Sequence, residues 1–398
     1  MRVFPISFNL YFYRRSIRKK SYCVDLRSII EDMDVHKKLY PLLLVFLVLL
    51  SGCIQSQPHT SVSLIPKASP ALPPHFTKDS DTLRTLAASR GMLIGAAVDA
   101  NALTQDSEYA NVLGREFNIM TPENAMKFDA VEPAPNVYDF RQSDELVAFA
   151  QAHSMQVHGH TFVWYRALPD WIKHGTFTKA QLMPILHNFI TTVMQHYKGE
   201  ISMWDIANEA LDDHGAFRSS IWYNTLGPDF LDQAFRWAHE ADPQVKLFYN
   251  DYGAEAQGAK SDALYALVQG MLARGVPIDG VGFQMHVGLN TTLSKSAVIA
   301  NLQRFADLGL KVQISEMDVM VQGSNLSSHA KLQAQANLYQ DMLSACLFVS
   351  TCVAFTMWGF TDRHTWIPAA TGHPDQPLIF DVNYHPKPAY TALFQTLE

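Results

Sequence analysis

Two glutamates, each standing directly after a short apolar run, have the clearest potential for chemistry. Glu209 lies in the segment WDIANEA, and Glu316 lies in ISEMDV. A pair of carboxyl groups that flank one bond is the arrangement used to hydrolyse glycosides, because one group protonates the departing oxygen while the other attacks the anomeric carbon or activates water. The two groups need different surroundings, since one acts as an acid and the other as a nucleophile or base. The sequence therefore predicts a carboxylate pair that acts on a glycosidic bond.

Two further residues stand where they can support Glu316. Asp318 follows it by two positions, so both side chains belong to the same face of a strand. Asp318 is then able to hold His286, which in turn hydrogen-bonds Glu316 and orients it. The alternative role for Asp318 is to cap the N-terminus of a helix.

Polar and aromatic residues stand at the ends of most of the other apolar runs as well. Taken singly, a buried Asn or His is more often satisfied by the backbone, and a Glu more often lies on the surface. Their recurrence at run after run is what indicates a site. A tryptophan offers a flat face to the C–H side of a sugar ring, with core packing as the alternative. The residues concerned are Glu123, Asn124, Lys127, His160, Trp164, Asn208, Asn250, Asp251, Tyr252, Gln284, Trp358, Asp362 and Trp366.

Eight short apolar runs alternate with stretches in which apolar residues recur every three or four positions. This alternation within residues 79–398 predicts an α/β fold, a closed (β/α)8 or TIM barrel, whose active site gathers at the C-terminal ends of the strands. An open doubly wound sheet is the alternative, although no Gly-rich phosphate turn follows the first run. The runs cover residues 91–99, 117–122, 155–164, 202–208, 245–251, 280–287, 311–319 and 353–360.

The distribution of charge limits the kinds of molecule that the protein can bind. Residues 1–40 carry nine Lys or Arg and four Asp or Glu, whereas residues 41–398 carry 22 basic and 34 acidic residues. An acidic body repels phosphate, which argues against nucleic acid as a partner. It is compatible with a neutral polysaccharide, and we expect the barrel to act as a monomer.

The segment KKLYPLLLVFLVLLSGC, which ends at Cys53, has the features of an export signal. Two lysines precede an apolar run that is shorter than the roughly 20 residues of a membrane-spanning helix. Its last four residues resemble a bacterial lipobox, which predicts a lipid on Cys53 after cleavage and attachment of the exported protein to a bacterial membrane, the outer membrane being favoured. A short transmembrane anchor or a buried helix is the alternative.

This signal divides the N-terminal part of the chain. Met33 begins an ordinary lipoprotein start, so we expect translation to begin there and residues 1–32 to be an extension outside the protein. A genuine long leader is the alternative. We then expect a signal peptide over residues 33–52 and a Ser/Pro-rich linker over residues 53–78.

Two smaller patterns concern metals and disulfides. His158 and His160 have a spacing that can bind a metal, but the later runs supply no further His pair, so neither a metal nor a cofactor is expected. Cys346 and Cys352 are separated by five residues in a domain predicted to be exported, where disulfides persist. A disulfide between them is expected, with two buried thiols as the alternative.

Several long motifs, in order, give the chain its resemblance to a known family. They are NIMTPENAMKF, GHTFVWYRALPDW, WDIANEA, YNDYG, GFQMHV, ISEMDV, TMWGFTDRHTW and FDVNYHPKPAY. Over about residues 80–398 the chain resembles the xylanases of glycoside hydrolase family 10, which are (β/α)8 barrels. The resemblance implies an endo-1,4-β-xylanase that cuts xylan or xylooligosaccharides with retention of configuration.

The resemblance also implies individual roles. It assigns Glu209 as acid/base and Glu316 as nucleophile. Asn208 would bind the 2-hydroxyl of the sugar at the cut, Gln284 and His286 would support the nucleophile, and Tyr252 would lie on the leaving-group side. Trp358 and Trp366 would cover the bound sugar, and the pair Cys346 and Cys352 matches a disulfide of many members. The residues implied for sugars on the non-reducing side are Glu123, Asn124, Lys127, His160 and Trp164.

The chain departs from the family pattern at a few positions. Where many members read W-H-S-Q-L-P, this chain has Tyr165, Arg166 and Ala167 as the second to fourth residues. We therefore expect weaker distal binding on the non-reducing side or altered acceptance of decorated chains. Phe128 stands where tryptophan is common, and Met285 where a small residue is common. The competing functions are another β-glycosidase activity, a lipid-anchored sugar-binding protein and a structural surface lipoprotein.

Overall fold

The computed structural model describes residues 81–398. The predictions for residues 1–32, 33–52 and 53–78, including the lipid on Cys53, lie outside the described residues. The strands are β1 (Leu93–Val98), β2 (Ile119–Pro122), β3 (Gln156–Val163), β4 (Met203–Asn208), β5 (Lys246–Asp251), β6 (Gly280–Phe283), β7 (His286–Gly288), β8 (Lys311–Met320) and β9 (Cys352–Met357).

Helices fill the intervals between the strands. They are α1 (Leu83–Ser89), α2 (Ala100–Gln105), α3 (Ser107–Glu116), α4 (Phe128–Val131), α5 (Arg141–Ala152), α6 (Asp170–Lys173), α7 (Lys179–His196), α8 (Ile221–Leu226), α9 (Phe230–Ala241), α10 (Ala259–Ala273), α11 (Lys295–Ala306), α12 (Ser328–Phe348), α13 (Ile367–Thr371) and α14 (Pro388–Leu397), with a 3-10 turn over Asp362–His364. Within residues 81–398, no helix combines the length and the apolarity needed to cross a bilayer.

Eight parallel strands close into a barrel. Strand β1 pairs with β2 on one side and β9 on the other, and the pairing of β6 with β8 closes the ring. The described residues therefore confirm the predicted (β/α)8 barrel and exclude the open sheet. Parallel strands buried on both faces explain the continuous apolar runs, because helices cover the outside while side chains fill the inside.

The sixth predicted run, residues 280–287, is divided in the structure. Strand β6 ends at Phe283, and β7 then forms a short separate ladder with β8. The physical reason is Met285, whose φ of 69° lies in the left-handed region and interrupts the extended backbone. Its N–H donates to Glu255 Oε1 at 3.2 Å instead of to a strand. The prediction of one continuous strand here was wrong.

Close packing inside the barrel explains two sequence features. A Cβ on Gly159 would lie 2.2 Å from the ring of Trp204, so only glycine fits between the histidines of β3. Phe128, which stands where tryptophan is common, is 2% exposed and stacks on Phe189 with ring centres 3.9 Å apart. Phe128 is therefore a core residue, and packing in the core accounts for this departure from the family pattern. The predicted disulfide between Cys346 and Cys352 is present and joins α12 to β9.

Candidate active site

Both glutamates lie buried at the C-terminal end of the barrel, joined by a network of side-chain amides. Glu209 is 9% exposed and Glu316 is 4% exposed. Asn208 and Gln284 each donate an N–H to Glu209 Oε1 at 3.2 Å, and Asn250 donates to Glu316 Oε1. The amide groups of Gln284 and Asn250 also both donate to Asn208 Oδ1, at 3.0 Å. The two carboxyl groups are thereby held in fixed orientations around one space.

A second chain of hydrogen bonds supports the other oxygen of Glu316. His286 contacts Glu316 Oε2 through Nε2 at 3.2 Å and Asp318 Oδ2 through Nδ1 at 2.9 Å. Trp366 donates its indole N–H to the same Asp318 oxygen at 2.8 Å. Burial works to lower the pKa of His286, but the charge and hydrogen bond of Asp318, assisted by Glu316, raise this pKa well above its ordinary value. The contacts predicted for Asp318 and His286 are therefore present.

The hydrogen bonds of Gln284 divide between the two glutamates. Its side chain donates to Glu209 and Asn208, and its main-chain carbonyl accepts the N–H of Glu316 at 3.0 Å. The left-handed Met285 separates Gln284 from His286, so that one side chain reaches Glu209 and the other reaches Glu316. The side-chain amide that supports Glu316 is Asn250.

Residues predicted for sugar binding form one wall of the site. Lys127 is 8% exposed, donates to Asn124 Oδ1 at 2.9 Å and lies 4.8 Å from the ring centre of Trp164 and 5.8 Å from that of Trp358. Burial raises the pKa of Glu123, with Lys127 opposing the shift. Burial likewise lowers the pKa of Lys127, with Glu123 opposing it. The wall combines charged hydrogen-bonding groups with aromatic faces, which suits sugar hydroxyls and C–H faces.

The two histidines of β3 both approach the carboxylate of Asp205. His158 Nε2 lies 3.0 Å from Oδ1, and His160 Nδ1 lies 2.9 Å from Oδ2. The ring of His160 is also 5.2 Å from that of Trp358, which brings it to the sugar-binding wall. In the part of the chain that is described, no group of three or more His, Cys, Asp or Glu could hold a metal ion. The histidine pair is therefore explained by Asp205.

The opposite side of Glu209 is built around Arg218. Its guanidinium donates to the carbonyl oxygen of Glu209 at 3.1 Å and to the hydroxyl of Tyr252 at 3.0 Å, and it lies 4.5 Å from the ring centre of Tyr165. Glu209 has a φ of 53°, in the left-handed region that is costly for a non-glycine residue. Arg218 and the bond from the N–H of Glu209 to the carbonyl of Asn250 fix that conformation.

Two acidic residues at predicted strand ends turn out to bind lysines. Asp251 lies 2.8 Å from Lys260 Nζ, and Asp362 lies 2.8 Å from Lys387 Nζ, in pairs that are largely buried. Asn250 was one of the candidate residues identified from the sequence, although without an individual role, whereas Asp205 and Arg218 were not among the candidates. Asn250 ends a predicted strand in YNDYG, which is a usable signal, whereas Arg218 lies in an irregular loop that gives none. The remaining predicted residues gather at this end of the barrel.

We expect Asp318→Asn to lower the pKa of His286, because the variant removes the charge that raises it. The charged imidazole stabilises the fold fully below its unfolded pKa of about 6.5, and this contribution is lost as pH rises through the higher folded value. NMR titration of the His286 ring in the wild type and in the variant measures the change in its pKa. We also expect kcat of the variant to be lower by about 10–100-fold. An unchanged titration would contradict the assignment.

Lys260→Met should destabilise the barrel strongly. Lys260 is 5% exposed and the side chain of Asp251 is 0% exposed. Burial raises the pKa of Asp251 to about 6 although Lys260 opposes the shift, so the variant leaves a buried carboxyl that is either an unpaired charge or must take up a proton. Breaking a buried ion pair from one side costs about 3–5 kcal/mol. Urea unfolding of the domain gives the loss in free energy of unfolding. The matched control is Lys246→Met, which breaks an exposed pair with Asp279 and should cost at most about 1 kcal/mol. Equal losses in the two variants would refute the distinction.

Comparison with known proteins places the chain among relatives of one kind. The model of glycosyl hydrolase family 10 matches residues 82–396. Endo-1,4-beta-xylanase B of Thermotoga neapolitana is 39% identical over 359 residues, which make up 88% of this chain and 96% of that protein. Native xylanase 10B from Thermotoga maritima has a TM-score of 0.77 and 42% identity, over 80% of this chain and 98% of the other.

A third similar protein was crystallised with a ligand. It is xylanase 10B from Thermotoga petrophila RKU-1 in complex with xylobiose, with a TM-score of 0.78 and 41% identity, again over 80% of this chain and 98% of the other. The family model spans more than half of the chain and nearly all of its described part. On this match, and on the barrel and buried carboxylate pair described above, the chain belongs to glycosyl hydrolase family 10.

Proposed function

We propose that the chain is an endo-1,4-β-xylanase that hydrolyses internal β-1,4-xylosidic bonds by a retaining double displacement. The observation that carries the proposal is the pair of buried glutamates, Glu209 and Glu316, joined by amides and supported by His286 and Asp318. A retaining mechanism is the general property of family 10. The similar proteins named as xylanases support the choice of xylan.

The reaction assigns a separate task to each carboxyl group. Glu316 attacks the anomeric carbon, while Glu209 gives its proton to the departing glycosidic oxygen. The bond between sugar and leaving group breaks as the bond to Glu316 forms. Glu209, now a carboxylate, takes a proton from water, whose oxygen displaces Glu316 from the sugar. Two inversions at the same carbon give retention, and both residues return to their starting states.

The amide network serves this reaction by fixing the reacting groups before substrate arrives. Asn250 and His286 hold one oxygen each of Glu316, which keeps that carboxylate from rotating. Asn208, whose own Oδ1 is engaged by two amides, is oriented to bind the 2-hydroxyl of the sugar. Hydrogen bonds to this hydroxyl strengthen in the transition state. Preorganised donors of this kind cost no reorganisation during the reaction.

The preference for xylose is proposed to come from Trp358. This residue is 8% exposed and lies against His160 and Lys127, within the sugar-binding wall. Xylose lacks an exocyclic hydroxymethyl group, so a large ring close to that position admits xylose and clashes with glucose. Trp366 is tied to Asp318 and would cover the sugar from a second side.

The test uses the domain over residues 81–398 and linear β-1,4-xylooligosaccharides, with cellooligosaccharides of equal length as the matched control. Proton NMR follows the anomeric form of the first product. We expect cleavage of internal xylosidic bonds, with the β-anomer released first and little action on cellooligosaccharides. Binding without cleavage would indicate a sugar-binding protein, and equal cleavage of both series would indicate a broader β-glycosidase.

We also propose that the enzyme is exported and lipid-anchored at Cys53, and that its barrel is a monomer. The support for the lipid anchor is the sequence LSGC, which follows a positively charged and then apolar segment. In a bacterial host, labelled palmitate should enter the wild type and not Cys53→Ala, which should leave the membrane fraction. Label retained in the variant would refute the anchor. Sedimentation of residues 81–398 at one domain mass would support the monomer, and a larger mass would refute it.

A further inference from the structure

Arg218 folds back onto the main chain that directly follows strand β4. Its Nε donates to the carbonyl oxygen of Glu209 at 3.1 Å, and its Nη2 donates to that of Leu211 at 3.0 Å. The carbonyl between them, of Ala210, accepts the main-chain N–H of Arg218 at 2.8 Å. One residue therefore provides the hydrogen-bond donors for three consecutive carbonyl groups, beginning with that of the acid/base glutamate.

The main chain of Glu209 needs such a restraint. Its φ of 53° lies in the left-handed region, which residues other than glycine rarely adopt. The main-chain dihedral angles set the direction of the Cα–Cβ bond, and with it the direction in which the carboxyl group points. The bond from Arg218 to the Glu209 carbonyl restrains ψ, because ψ decides where that oxygen lies. A displacement of about 1 Å in a catalytic group can cost about 10²-fold in rate.

Two tyrosine rings hold the guanidinium of Arg218. Its central carbon lies 4.5 Å from the ring centre of Tyr165 and 5.9 Å from that of Tyr252, and Nη2 donates to the Tyr252 hydroxyl at 3.0 Å. A cation is attracted to the face of an aromatic ring. Tyr165 is one of the departures from the family pattern, because many members have histidine there. The aromatic face against Arg218 is therefore particular to this chain.

The same groups also influence one another electrostatically. Burial works to lower the pKa of Arg218, but the hydrogen bond and charge of Tyr252, followed by the charges of Tyr165 and Glu209, raise this pKa. Burial raises the pKa of Tyr165, and the charge of Glu209 adds to the rise, while Arg166 and Arg218 oppose it. The carboxyl group of Glu209 therefore lies close enough to both residues for its charge to be felt.

We propose that Arg218 is a positioning residue for proton transfer by Glu209, and that Tyr165 holds the guanidinium of Arg218 in place. The inference rests on the proposed function, in which Glu209 is the acid/base. Arg218 acts through the main chain of Glu209 and takes no part in the proton transfer itself. Because a glycosidic oxygen with a poor leaving group depends most on that proton, loss of Arg218 should affect such leaving groups selectively.

The test compares kcat/KM of the full chain on two aryl β-xylobiosides, one with phenol and one with dinitrophenol as the leaving group. Phenol needs a proton in order to leave, whereas dinitrophenolate leaves without one. We expect Arg218→Met to lower kcat/KM by about 10–100-fold on the phenyl glycoside and by at most about threefold on the dinitrophenyl glycoside. Both substrates lack a sugar on the leaving-group side, so a disturbance of Tyr252 alone would not change their ratio.

Further variants separate the parts of the arrangement. Arg218→Lys keeps the charge but not the planar set of donors, so its selective loss should be smaller. Tyr165→Ala should lower the rate on the phenyl glycoside selectively by about threefold to tenfold, and Tyr165→Phe, which keeps the ring, should lose less. The matched control is Arg236→Met, since Arg236 also donates to two main-chain carbonyls, those of Arg274 at 2.8 Å and Gly275 at 3.2 Å. The control should keep the wild-type ratio.

The outcomes separate this inference from the proposed function. A wild type that cleaves no xylooligosaccharide would overturn the proposed function itself. Equal losses on the two aryl glycosides in Arg218→Met would show a merely structural role and overturn the positioning of Glu209. A loss confined to xylooligosaccharides would place Arg218 in leaving-group binding through Tyr252 and overturn it as well. Should Arg218→Met fail to fold, Arg218→Lys is judged by the same ratio, and an unchanged ratio there would refute the inference.

Discussion

Replacing Glu316 by alanine is expected to lower the hydrolysis of xylooligosaccharides by about 10⁴-fold or more, because the variant has no group to form the covalent intermediate. The fold should survive, since Asn250 and His286 keep other partners in Asn208 and Asp318. Steady-state kinetics on a linear substrate measure the loss. Circular dichroism and xylooligosaccharide binding serve as controls that the site still forms.

Azide distinguishes a lost nucleophile from general damage to the site. In Glu316→Ala the small anion fits the space of the missing carboxylate and attacks an activated aryl β-xylobioside from that face. The product is then an α-glycosyl azide, formed with a single inversion. A β-azide, or activity within about tenfold of the wild type, would contradict the assignment of Glu316 as nucleophile.

The second large effect is expected for Glu209→Ala. General acid–base catalysis contributes about 10²–10⁴-fold, and the loss should depend on the leaving group. Hydrolysis of xylan needs protonation of a poor leaving group, so its rate should fall by about 10²–10⁴-fold. An aryl xyloside with an acidic phenol needs little protonation, so formation of the intermediate on Glu316 should be nearly unaffected.

Azide gives the complementary product in Glu209→Ala. The intermediate on Glu316 still forms, and azide attacks it from the opposite face without needing a base. The result is a β-glycosyl azide and a faster turnover of the aryl substrate. The control Glu240→Gln alters an exposed glutamate of α9 and should behave as the wild type. Equal losses for good and poor leaving groups would rule out the acid/base role.

The fold and the two glutamates were accessible from the sequence for physical reasons. Strands buried on both faces leave continuous apolar runs, and parallel closure brings all their C-terminal ends to one rim. A polar residue in the last part of such a run, or shortly after it, must therefore face the rim or be paired. Glu209 and Glu316 face it, whereas Asp251 and Asp362 are paired with Lys260 and Lys387.

The partners within the site were harder to predict. Nothing in the chemistry of a methionine side chain indicates a left-handed backbone, yet this conformation of Met285 separates the Gln284 side chain, which reaches Glu209, from that of His286, which reaches Glu316. Arg218 lies in an irregular loop, and its contact with the Glu209 carbonyl depends on tertiary structure alone. Local periodicity reports which face of an element is buried, and it holds no information on which amide meets which carboxylate.

The departures from the family pattern differ in meaning once their surroundings are known. Phe128 packs into the core against Phe189, so its substitution leaves the site untouched. Ala167 and Arg166 line an open cleft together with Lys127 and Trp164 of the sugar-binding wall, so the departures at these two positions bear on substrate binding. The sequence alone does not show which of these side chains a ligand can reach, because that depends on their burial in the folded structure.

The central claim, that Glu316 forms a covalent bond to the sugar, is tested most directly by trapping that intermediate. A 2-deoxy-2-fluoro-β-xylobioside with an activated leaving group reacts in the first step, and its fluorine slows the oxocarbenium-like second step. Mass spectrometry of the inactivated domain should show one fluoroxylobiosyl group per chain, located on Glu316 after proteolysis. A label on another carboxylate, or steady turnover without a label and with the α-anomer released first, would contradict the account.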